Sequence, residues 1–231
     1  MKKVITLSSI ALILGATALP VAAESVNPTQ WDSKGIVEFE ANDTDIPEVT
    51  DPEAPGETGP GGTAGALAID YVSDLDFDTH KISASDQTYY AAPDTHVFKD
   101  VSVANFVEMH DLRGLGTGNN TELTVTQEEQ FKNDKTELKS AVLSFSLGKG
   151  MNSKNGSYVP NSVANFALTP GEAQKVMSTD GTVGQFLTSY GVAADYKGSE
   201  EGGPISLSIP SGSARAGSYS ATLHWDLTVA P

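Results

Sequence analysis

Cysteine is absent from this 231-residue chain, and that absence removes several functions at once. No disulfide can staple the fold, no thiol can act as a nucleophile, and no lipid can be attached through a cysteine. Stability therefore has to come from a packed core. Basic residues are scarce as well: 14 Lys and Arg stand against 30 Asp and Glu, for a formal net charge of −16. So acidic a surface argues against nucleic acid, and against anionic polymers held by charge alone. The signatures of catalysis are missing too. His80, His96, His110 and His224 share no metal-ligand spacing, and no Gly-x-Ser-x-Gly elbow occurs. Gly114-Leu-Gly-Thr-Gly118 is followed neither by Gly-Lys-Ser/Thr nor by a helix that would receive phosphate, so its glycines read as turns. No metal, no cofactor and no catalytic residue is expected.

What is present begins with an apolar run at the start. Met1-Lys2-Lys3 is basic, residues 4–14 are apolar, and Val21-Ala22-Ala23 offers small residues for cleavage. Residues 1–23 read as a secretory signal peptide, too short and polar-flanked for an anchor, whose removal leaves no membrane span. No apolar tail or sorting signal follows Pro231, so retention at a surface is expected to be non-covalent. Residues 24–66 carry ten acidic side chains and one basic, Lys34, with repeated Pro and Gly in 50–63. Few apolar groups and one sign of charge cannot offset the entropy of folding, so this stretch reads as an extended, disordered spacer. Inside it Gly35-Ile-Val-Glu-Phe-Glu40 alternates, which suits an added strand, a docking segment or a weakly structured leader.

From 67 to 231 the pattern is β throughout. Leu67, Ile69 and Tyr71 alternate, then Leu75 and Phe77 alternate against Asp74, Asp76 and Asp78. Leu123 and Val125 alternate with Glu122, Thr124 and Thr126, and residues 142–147 and 205–209 continue the theme. Gly, Asn, Asp and Ser clusters punctuate these runs. One short helix is expected over 172–177, after Thr169-Pro-Gly. Many short strands joined by turns give an all-β, β-sandwich-like domain over 67–231. The last strand alternates most strictly: Tyr219, Ala221, Leu223, Trp225, Leu227 and Val229 share one face, and Ser220, Thr222, His224, Asp226 and Thr228 the other.

Trp225-x-Leu227, with Tyr219 six residues upstream and Pro231 shortly after, resembles the distal motif of the WxL domains of Gram-positive cell surfaces. An earlier motif is similar to Asp111-Leu-Arg-Gly-Leu-Gly-Thr-Gly-Asn-Asn-Thr-Glu-Leu-Thr-Val-Thr-Gln127. Leu67-Ala-Ile-Asp-Tyr-Val-Ser-Asp-Leu-Asp-Phe77, Asp86-Gln-Thr-Tyr-Tyr-Ala91 and Ile205-Ser-Leu-Ser-Ile-Pro210 also match, in order, over 65–231. Thr121 stands where the first motif normally has Trp. The resemblance implies a secreted protein held on the wall, with peptidoglycan or another wall polymer as ligand and other surface proteins as companions. It marks Trp225, Leu227, Leu123, Val125 and Tyr219 as motif residues, whether they touch ligand or fill the core. Sharing a face with Leu223 and Val229 favours the core for Trp225, because so long an apolar face left exposed would be a sticky patch.

Two other functions compete with retention on the wall. One is an adhesin or carbohydrate-binding module for host or environmental ligands. The other is a wall-active hydrolase, which needs two carboxylates. Asp70, Asp74, Asp76 and Asp78 are numerous enough for that or for calcium, yet three of them lie on the outer side of a strand, where solvation and edge protection explain them.

Overall fold

A computed structural model describes residues 29–31, 33–54 and 57–230; the expected signal peptide lies outside the described residues. The expected all-β, sandwich-like architecture is present. Fourteen antiparallel strands and one 3-10 turn, Ala193–Asp195, are formed among the described residues. Three four-stranded sheets surround the main core. One runs β10 (Phe166–Ala167), β7 (Val142–Phe145), β13 (Ile205–Ile209), β4 (Gln87–Tyr90). A second runs β14 (Leu223–Val229), β6 (Thr121–Gln127), β11 (Ala173–Thr179), β9 (Asn161–Ser162). The third runs β3 (Leu67–Val72), β5 (Phe106–Asp111), β12 (Gly184–Tyr190), β8 (Gly148–Asn152).

β6 shows how the sequence makes these strands. Its β-branched and leucine residues suit a pleated surface, and their alternation buries Thr121, Leu123, Val125 and Gln127 while the residues between stay half-exposed. The main core gathers Leu123, Val125, Leu143, Met177, Phe186 and Ile205 with neighbours from all three sheets. β5 is different: every residue from Phe106 to Asp111 is buried. Val107 and Met109 face the main core, whereas Phe106 belongs to a second cluster with Val49, Val97, Phe98, Val103 and Leu187. Both faces of this sheet are therefore covered.

That second cover corrects the boundary expected at residue 67. Within the stretch read as a spacer, β1 (Glu48–Thr50) pairs with β2 (Thr58–Gly61), and the compact unit runs from Phe39 to Pro231. Val49 is fully buried, Thr50 N–H bonds Glu108 Oε2 at 2.9 Å, and Gln185 Nε2 donates to the Glu48 carbonyl at 2.9 Å. Asn42 N–H reaches the Leu112 carbonyl at 3.1 Å. Composition predicted an unfolded segment; partners supplied from β5 and β12 give 48–61 a place to fold. Residues 35–40, by contrast, form no strand, and Ile36 and Phe39 are 94% and 88% exposed.

Two further expectations change. Residues 173–179 form strand β11 rather than a helix, paired with β6 on one side and β9 on the other. A bulge between Lys175 and Met177 brings Val176 and Met177 both into the core, which disguises the two-residue period. Around Leu75 and Phe77 the faces are as expected, with these two half-buried and Asp74, Asp76 and Asp78 exposed. No ladder forms there, and Asp78 turns the chain with φ of 62°.

Candidate functional site

The two motifs, a hundred residues apart in the chain, lie side by side. β14 and β6 are antiparallel neighbours in which Trp225 faces Val125, Leu227 faces Leu123 and Val229 faces Thr121. Leu123 and Val125 are fully buried; Leu223, Trp225 and Leu227 are half-buried and pack on the same core. Behind Trp225, beside Phe106 and Tyr190, the open space is about 10 Å³, too little for any ligand. Thr121 is 0% exposed, and its hydroxyl bonds that of Thr179 across the β6–β11 pair at 2.6 Å. The first motif's position is thus filled by a small, satisfied polar pair. Upstream, Asp111 clamps Arg113 with two bonds of 2.9 and 2.6 Å, and Arg113 also donates to the Asn119 carbonyl at 3.0 Å. This staple closes the glycine turn, where Gly114, Gly116 and Gly118 all have positive φ, and delivers the chain into β6.

Among the motif residues, Tyr219 is the one that lines the large groove. This groove of about 810 Å³ is within the size range of ordinary ligand clefts and is walled by residues 75–85 on one side and 210–221 on the other. Phe77, Phe131, Leu138, Leu207 and Ile209 form its apolar floor. Phe77 and Phe131 meet edge to face, with centroids 6.4 Å apart. The first wall is held by His80, stacked on Tyr89 at 3.6 Å, with Nε2 donating to the Phe77 carbonyl at 2.5 Å and Nδ1 3.2 Å from Glu200. Burial, then the charge on Glu200, pushes the Tyr89 phenol up. The second wall is held by Tyr219 itself, whose oxygen pairs with the Thr136 hydroxyl at 2.7 Å and accepts the Arg215 N–H at 3.0 Å. Those bonds, Thr136 first, hold its phenol below the usual range. Sequence reasoning missed the 210–218 wall. Arg215, one of two arginines in the chain, was the available signal.

Charged groups also collect behind β5, away from the groove. Glu108 is fully buried; its Oε2 accepts the Thr50 N–H and its other oxygen takes the Ser153 hydroxyl. Burial, aided by the nearby Asp70 and opposed by those bonds, pushes its carboxyl up to about 7. His110 places Nδ1 2.9 Å from both Asp70 oxygens and Nε2 2.6 Å from the Gly65 carbonyl. Both partners are acceptors, so both ring nitrogens donate and the ring is a buried cation. Burial works against that charge, but the bonds to Asp70 and Gly65 and the charges of Asp70 and Asp111 outweigh it and raise the imidazole. This pair ties residue 65 to β5.

The carboxyl raised into the range of a general acid, Glu108, is sealed from the groove, and the His110–Asp70 pair is wholly buried. No group of three or more potential metal ligands gathers among the described residues, nor is any helix there long and apolar enough to cross a membrane. The fold is that of an all-β, β-sandwich-like domain. The model of the family described as "WxL domain surface cell wall-binding" matches residues 26–231, and the chain belongs to that family. Its setting is therefore the cell surface, in association with the wall. No curated protein and no solved structure matches the chain.

Proposed function

We propose that this protein is retained non-covalently on the cell wall by direct binding of its domain to peptidoglycan, and that it catalyses no reaction. The observation that carries the reading is the extent of the family match, 26–231, which takes in the whole compact unit. With a formal charge of −16, attraction to anionic wall polymers is not the driving force, so recognition falls to shape and local chemistry. Purified protein is mixed with peptidoglycan sacculi stripped of anionic polymers and sedimented. Saturable pelleting that persists in added salt is the expected result; protein that stays in the supernatant refutes direct wall binding.

A companion surface protein is the second part of the proposal, and 36–39 is its docking segment. Ile36, Val37 and Phe39 are exposed apolar residues on an alternating, unpaired stretch, the form that adds to a sheet edge. A photo-crosslinker at position 37 should capture one discrete protein on intact cells. A smear no different from that of the same probe at Asp226 would remove this part.

A further inference from the structure

We infer that the groove between residues 75–85 and 210–221 is the wall-ligand site, and that it takes an N-acetylated amino-sugar chain bearing carboxylates; this rests on the wall retention proposed above. Charge is the first argument. Across the whole chain acids outnumber bases by 30 to 14, whereas the groove is lined by two carboxylates, Asp76 and Asp78, and two cations, Lys81 and Arg215. A ligand with carboxylates, repelled by the protein at large, meets a balanced surface here. The two cations are also uncommitted. Neither Lys81 nor Arg215 has a carboxylate partner among the described residues, a state they share with most lysines there.

Arg215 is nonetheless held in place. One guanidinium nitrogen donates to the Gly212 and Ala214 carbonyls at 2.8 and 2.9 Å, which leaves its other N–H groups to point elsewhere. The floor supplies the second requirement of such a ligand. Phe77 and Phe131 give apolar faces for acetamido methyl groups and sugar C–H edges, while Asp76, Ser83 and Gln87 offer acceptors and donors for hydroxyl and amide groups. Stiffness is the third. The Tyr219–Thr136 bond pins one wall and the His80–Tyr89 stack the other, so little ordering has to be done on binding.

Titration of the full protein with disaccharide-peptides released from sacculi by a muramidase, beside a neutral N-acetylglucosamine oligomer, tests the assignment. Lys81→Ala and Arg215→Ala should each weaken muropeptide binding about tenfold with the unfolding midpoint unchanged, and the neutral oligomer should bind more weakly than the muropeptide. Lys81 is exposed and makes no side-chain bond to the described residues, so its variant keeps the test sound even if loss of the Arg215 contacts loosens the loop. Variants that bind muropeptides and pellet with sacculi as well as the parent overturn the groove while leaving wall retention intact. A parent protein that binds neither sacculi nor muropeptides overturns both.

Discussion

Raising the pH should weaken this fold in a range where most proteins are indifferent, and Glu108 is the main reason. Its carboxyl is pushed from an ordinary 4.5 up to about 7 because its burial on β5 outweighs the bonds from Ser153 and Thr50 and the charge of Lys154. Between those values the native state keeps a proton that the unfolded chain has released. Stability therefore falls as pH rises, by about 3 kcal/mol at about 1.4 kcal/mol per pH unit. His110 acts in the same direction at higher pH. Its raised imidazole contributes stability that is complete below the ordinary 6.5 and is lost as pH climbs through the native value. The depressed carboxyl of Asp94 gives way only as pH drops below its ordinary 3.8, outside this window. Equilibrium urea unfolding at pH 5, 6, 7 and 8, followed by far-ultraviolet circular dichroism, measures the slope. Glu108→Gln keeps the shape and stays neutral, so it should flatten the fall between pH 5 and 7 and leave that of His110 above it. Level or rising stability of the parent from pH 5 to 7, or an unchanged slope in the Gln variant, refutes the reasoning.

Other outcomes follow from the packing. Trp225→Ala should cost about 2 kcal/mol, reflecting a half-buried ring, and wall binding should fall only in step with the unfolded fraction seen by circular dichroism. Restoring the family's residue by Thr121→Trp should destabilise by about 1–3 kcal/mol or more, because position 121 is filled and bonded to Thr179; a raised melting temperature would contradict this. Val49→Ala should cost about 2 kcal/mol, and a chain starting at residue 67 should lose far more, as judged by thermal unfolding.

How much was legible depended on whether one face of a strand met solvent. β14 and β6 each show a buried and an open face, so alternation revealed them, and the motif resemblance pointed to both before their pairing was visible. β5 is covered on both faces, and Glu108 and His110 inside it broke the pattern with charges whose partners, Thr50, Gly65 and Asp70, lie 40 to 58 residues upstream. Glu108 and Gln185, which bond Thr50 and Glu48, explain why 48–61 folds despite its composition. In β11 the bulge at Lys175 put consecutive apolar residues inside and imitated a helix turn. The groove was hardest to foresee, since its walls are loops joined by single contacts such as Tyr219 to Thr136, and no local pattern encodes those.

The adjacency of β14 and β6 also sets a clock. Seven register pairs join strands whose synthesis is separated by about a hundred residues, so the ladder can form only long after β6 has been made. Until residues 223–229 arrive, one edge of β6 stands open with Leu123 and Val125 beside it, a template for any other extended chain. Closing such a long loop is slow compared with forming hairpins, which puts this domain in the millisecond-to-second class rather than the microsecond one. The Thr and Glu side chains that alternate along β6 then act before folding ends as well as after it, keeping an unfinished edge from finding the wrong neighbour.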